Sequence, residues 1–111
     1  MRLTKDSRKT TKAHAERDPE YRVTLLRQTI EALLSNDLEM GKELLRIHVK
    51  ATVGYESLGR DMNKHPKSLM RMLGAKGNPR ADSLLAMIAC LKRHEGVSFS
   101  LSLTRNNGPH I

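Results

Sequence analysis

Two interruptions divide the middle of the chain so closely that no long element can cross it. Asn63, Lys64, His65 and Pro66 form the first, and Gly74, Gly77, Asn78 and Pro79 the second. Proline removes a backbone donor and clashes with the preceding helical turn, while glycine and asparagine accept the left-handed backbone that ends a helix. The flanking segments carry apolar residues three and four apart, as a helix packed on one face requires. This predicts a short helix over 55–62 and another over 66–73, with His65 at its cap and Pro66 at its first position. A third should start at Pro79, capped by Asn78, and turn Leu84, Leu85, Ile88 and Leu91 to the core. Lys92, Arg93 and His94 suit its negative C-terminal end, and Gly96 its stop.

Upstream, Asp18 and Pro19 supply an N-cap and a first helical residue. Val23, Leu26, Ile30, Leu33 and Leu34 follow at helical spacing. Ser35, Asn36 and Asp37 interrupt, and a helix over 38–52 carries Leu38, Leu44, Leu45 and Val49. Residues 1–18 hold six Lys/Arg and few large apolar side chains, which reads as a flexible basic arm. After Gly96 the period changes to two: Val97, Phe99, Leu101 and Leu103 alternate with Ser98, Ser100 and Ser102, the pattern of a one-faced strand. No comparable second strand exists in the chain, so this one is expected to pair with another molecule. Residues 104–111 read as a disordered tail. The expected architecture is therefore mainly α, a five-helix bundle with one C-terminal β-strand. It forms a single domain over 19–103 between the arm and the tail.

Charge narrows the function. The 111 residues have a formal net charge of +8, which points to a polyanionic partner, usually nucleic acid. Residues 41–80 carry nine basic and three acidic side chains, whereas the flanking thirds are each close to neutral. From 60 to 80, Arg60, Lys64, Lys67, Arg71, Lys76 and Arg80 face only Asp61. With no Trp, two Tyr and one Phe, base stacking as in RNA-recognition sheets is not expected. A single cysteine, Cys90, fits a reducing cytoplasm and a buried small side chain. No apolar run is long enough to span a bilayer, and the N-terminus has no secretory apolar region. The five histidines are scattered without ligand spacing, so neither metal nor cofactor is expected. No catalytic cluster occurs either, so the chain does not read as an enzyme. Glu56 and Asp61 are expected to form local ion pairs.

Two short helices joined by a tight turn meet the demands of a helix-turn-helix motif. Gly59 supplies the small residue where the helices cross, and Asn63 the left-handed turn residue. Leu58, Met62, Leu69 and Met72 hold the pair to the domain. Lys64, Lys67, Ser68 and Arg71 face outward, and so does Met70.

Residues 58–91 resemble a known family on these residues: N-K-H-P-K-S-L-M-R-M-L-G at 63–74, then K-G-N-P at 76–79 and a long apolar helix. The segment is similar to HigA-like addiction-module antitoxins, helix-turn-helix proteins with a lambda-repressor-type DNA-binding domain, and the likeness covers roughly 37–103. Lys64 and His65 depart from the apolar residue and the Ser or Thr usual at those positions. The resemblance implies a dimeric repressor of its own promoter that neutralises a co-encoded ribonuclease-type toxin. A stand-alone regulator without a toxin, or a protein-interaction module whose basic face binds an acidic partner, are the alternatives. In such a motif Lys67, Ser68 and Arg71 would enter the major groove of operator DNA, and Arg60, Lys64, His65 and Lys76 would hold phosphates. A homodimer is expected, because one motif reads half a site. Val97, Phe99, Leu101 and Leu103 are the candidate dimerisation residues; the same strand could instead extend a toxin's sheet.

Overall fold

The computed structural model describes residues 4–106. Six helices follow one another among them: α1 (Lys5–Arg17), α2 (Pro19–Leu34), α3 (Leu38–Ala51), α4 (Gly54–Met62), α5 (Pro66–Met72) and α6 (Ala81–Glu95). The protein is mainly helical, as expected, with one helix more than the sequence pattern suggested.

The additional helix lies where a flexible arm was expected. Thr4 caps α1 by accepting a hydrogen bond from the Ser7 N–H, and Lys12 pairs with Glu16 one turn on. Only Ala15 of this helix is buried, among Leu25, Leu44 and Ile47. So weak an apolar pattern gives no amphipathic signal. Polar contacts dock the helix instead: Arg8 donates to Glu43 at 2.7 Å, and Arg22 donates to the Ala15 carbonyl at 2.9 Å. Residues 1–3 of the expected arm, and most of the expected tail, lie outside the described residues.

α2 begins as predicted, with Pro19 at its first position and the Asp18 carboxylate accepting from the Glu20 and Tyr21 N–H groups. These bonds, Tyr21's foremost, together with His14 at 3.1 Å, hold the Asp18 carboxyl below its ordinary pKa. The main core draws on five helices, with Leu26, Leu45, Val49, Leu58, Leu69, Leu73, Met87 and Leu91 at its centre. Two expected core residues are not there. Leu34 and Leu85 remain 73% and 65% exposed, and Leu25 and Met87 occupy buried positions instead. Helical spacing identifies a broad stripe, and the packing of neighbours selects which edge of it is covered.

α6 starts at Ala81 with Arg80 in the cap position, two residues later than expected, so Asn78 and Pro79 stay in the preceding loop. It ends at the left-handed Gly96. Beyond that, 97–103 is not a strand, and no strand occurs among the described residues. The physical reason is that a strand is defined by its ladder, and the described residues offer no second strand to pair with. Val97 packs on the core, and the Phe99 ring lies 5.3 Å from the Lys92 ammonium. Leu101 and Leu103 are 76% and 90% exposed.

α2, α3 and α6 meet at a buried polar cluster. Arg22 donates to Glu95 at 2.8 Å, and the fully buried His48 has Nε2 3.5 Å from the same carboxylate oxygen. Neither ring nitrogen of His48 makes a hydrogen bond. Burial holds the imidazole below its ordinary pKa, while Glu95 offsets part of that effect and Arg22 and His94 add to it. The unfolded chain therefore binds the proton first as pH falls through about 6.5. Stability to urea is expected to drop as pH is lowered from 7.5 to 5.5, and His48→Leu should flatten that slope. An unchanged slope in the variant would place the dependence elsewhere.

Candidate nucleic-acid interface

α4 and α5 pack against each other across residues 63–65, and the turn follows from three local features. Asn63 is left-handed at φ 54° and ψ 48°, and the Lys64 N–H donates to the Gly59 carbonyl at 2.9 Å. An added Cβ on Gly59 would lie 2.6 Å from the Lys64 carbonyl oxygen, so the close approach needs glycine. His65 then caps α5 through its ring, Nδ1 accepting from the Lys67 N–H at 3.1 Å. That role requires the neutral tautomer protonated at Nε2. Leu58 and Leu69 are fully buried, and Met62 and Met72 pack against the same core. The motif residues therefore occupy the places their spacing predicted.

The candidate contact residues lie on α4, on α5, in the turn between them and in the loop that follows. Arg60, Lys64, His65, Lys67, Arg71 and Lys76 are exposed, while Ser68 is half-buried. None of Arg60, Lys64, Lys67, Arg71 and Lys76 has an ion-pair partner among the described residues. Glu56 and Asp61 make no ion pair there either, contrary to the expected local pairs. The nearest paired cation in sequence, Arg80, reaches Asp82 at 3.3 Å, with both side chains strongly exposed. Pairs so exposed contribute little to stability. Val97, Phe99, Leu101 and Leu103 belong to the segment after α6, not to this face.

Sequence reasoning missed the residues that hold the face in place. Lys42 is 2% exposed, and its ammonium donates to the Gly74 carbonyl at 2.9 Å and to the Gly77 carbonyl at 2.8 Å. Glu39 pairs with it at 3.0 Å. Arg46, one turn on, donates to the Leu73 carbonyl at 2.6 Å. Both cations thus satisfy carbonyls just beyond α5 that the helix itself cannot. The loop they grip is tight, since a Cβ on Gly77 would collide with the Arg71 and Met72 carbonyls. The signal was present: Lys42 stands three residues before Leu45 and seven before Val49, on the apolar stripe of α3.

Other chemistry is sparse. Among the described residues no group of three His, Cys, Asp or Glu could hold a metal ion, and no helix is long and apolar enough to cross a membrane. Cys90 is buried, with the Arg93 guanidinium 3.3 Å from its sulfur.

Replacing Lys42 with Met would leave the Gly77 carbonyl without this donor and the Gly74 carbonyl with only the Gly77 N–H, at 3.0 Å. A loss of about 2–3 kcal/mol in chemical denaturation is expected. A loss below about 0.5 kcal/mol would mean that water replaces the ammonium freely.

Set against protein-family profiles, curated proteins and solved structures, the chain finds no significant match.

Proposed function

We propose that this protein is a sequence-specific, double-stranded-DNA-binding transcriptional repressor, a homodimer that contacts DNA through α5. The observation that carries this reading is the outward face of α5 and its flanks: exposed cations without ion pairs, borne on a short helix behind a left-handed turn. Uncompensated charge in that arrangement matches a phosphate backbone, and a helix of this kind fits the major groove. Lys67, Ser68 and Arg71 are the base-reading candidates, with Arg71 suited to bidentate contact with guanine. Arg60, Lys64, His65 and Lys76 flank them as phosphate contacts. The resemblance of 58–91 to HigA-like antitoxins extends the proposal to a toxin-antitoxin module, with a co-encoded ribonuclease-type toxin as partner.

The exposed apolar residues of 97–103 support self-association. Phe99, Leu101 and Leu103 are uncovered in the single chain, and pairing of two such segments across a two-fold axis would cover them and complete their backbone hydrogen bonds. Leu101→Pro is expected to convert a dimer to a monomer in sedimentation. A dimer that survives the change would remove this segment from the interface.

Fluorescence anisotropy with DNA from upstream of the gene and a scrambled duplex, at about 50 and 200 mM salt, tests the DNA reading. A repressor should lose affinity steeply with salt yet keep a preference of roughly 10³-fold or more for its site. Arg71→Ala should weaken specific binding by about 1–3 kcal/mol and relax preference at one base pair. Equal weakening on both duplexes would reject a base-reading role for Arg71. Absence of binding even at low salt would sink the DNA reading and leave an acidic protein as the partner of the basic face.

A further inference from the structure

One side chain on the basic face does not fit a surface made for phosphates alone. α5 turns Leu69 to the core, while Lys67, Met70 and Arg71 stand outward at helical spacings of three and four. Met70 is 47% exposed and is the one large apolar side chain so exposed in α4, α5 or the loop to α6. Beside it lies an open groove of about 480 Å³, lined by Met70, Arg71, Gly74, Lys76 and Gly77. No carboxylate lines the groove. Its two glycines let the loop backbone pack closely on the end of α5, where a Cβ on Gly77 would collide with the Arg71 and Met72 carbonyls. The groove therefore combines two cations without ion pairs, an apolar thioether and an open wall. It suits a ligand that is anionic at its margins and apolar at one point. The major groove of a duplex offers this combination where thymine places its C5 methyl between phosphate rows.

Resting on the DNA-binding reading above, we propose that Met70 is a specificity-determining residue. It covers the C5 methyl of a thymine one base-pair step from the base that Arg71 reads. Met70 and Arg71 are consecutive residues of α5, so their side chains leave the helix about 100° apart and reach different base pairs rather than the same one. Arg71 supplies hydrogen bonds to one base and Met70 a polarisable apolar surface to the next. Lys76, across the groove, anchors the adjacent phosphate. Each half-site is thus expected to contain thymine next to the base contacted by Arg71.

The test uses the full chain and the duplex it binds preferentially. Each thymine in turn is replaced by deoxyuridine, which removes the methyl and leaves every hydrogen-bonding group in place. At one thymine per half-site, affinity is expected to fall about 4-fold, roughly what burial of one methyl-sized group is worth. Met70→Ala should bind the thymine and uracil duplexes equally, with unchanged thermal melting because the side chain is half exposed. Cytosine at that position should bind worse still, and 5-methylcytosine should recover about 4-fold over cytosine in the unaltered protein only. The inference is overturned if no thymine in a preferred site is sensitive, or if the sensitivity persists in Met70→Ala. A protein that prefers no duplex loses the DNA reading and this inference together. One that prefers a duplex but ignores its methyl groups loses this inference alone.

Discussion

The ammonium of Lys42, inside α3, carries the connection between the core and the surface that faces outward through α5. A helix of seven residues such as α5 has little stability of its own, because so few hydrogen bonds follow its nucleation. Its direction is therefore imposed from both ends. At the front, Asn63 reverses the chain and His65 caps the first turn. At the back, Lys42 and Arg46 draw the carbonyls of Leu73, Gly74 and Gly77 toward α3. Glu39 pairs with Lys42 and Glu43 with Arg46, so the buried Lys42 ammonium and the buried Glu43 carboxylate each have an opposite charge beside them. Removing one donor would loosen the loop from Gly74 to Gly77 and, with it, the groove beside Met70.

This arrangement divides the positive charge of the middle third into two populations. Lys42 and Arg46 point inward and act as structural caps, whereas Arg60, Lys64, Lys67, Arg71 and Lys76 remain outside without acidic partners. The two groups cannot be told apart by counting charge, yet their consequences differ. Inward cations rigidify the frame. Outward cations create a field along the edge of α5 that a polyanion can neutralise. The net charge of the segment thus overstates what is available to a ligand.

The remaining uncovered apolar surface follows from topology. Five helices close around the main core, α1 packs on a second, smaller cluster, and 97–103 is left with no strand to pair with among the described residues. Val97 continues the packing of α6, and Phe99 finds the Lys92 ammonium, after which Leu101 and Leu103 point to water. The alternation read in the sequence is a real pattern without an intramolecular partner. The same limit applies to Leu34 and Leu85, whose helical spacing matches that of core residues but whose neighbours do not reach them.

The local signals were read directly from residue types. Asp18 with Pro19, Asn63, His65 with Pro66, and Gly96 act within one helical turn, so their effects do not depend on the rest of the chain. Gly59 belongs with them, because the two helices it separates are adjacent in sequence. The helix over 5–17 was not legible, since its attachment rests on Arg8 reaching Glu43 and Arg22 reaching Ala15, and its own sequence has almost no apolar face. α6 starts past Pro79, at Ala81, after a loop whose Gly74 and Gly77 carbonyls are held by Lys42, more than thirty residues earlier in the chain. By itself, then, the sequence determined a mainly helical protein with two short helices joined by a tight turn and exposed cations around them, through short-range steric and capping rules. The tertiary structure alone decided which cations face inward, that the N-terminal segment docks as a sixth helix, and that the last apolar segment stays uncovered. Those outcomes depend on distant groups meeting in space, and no local pattern encodes such a meeting.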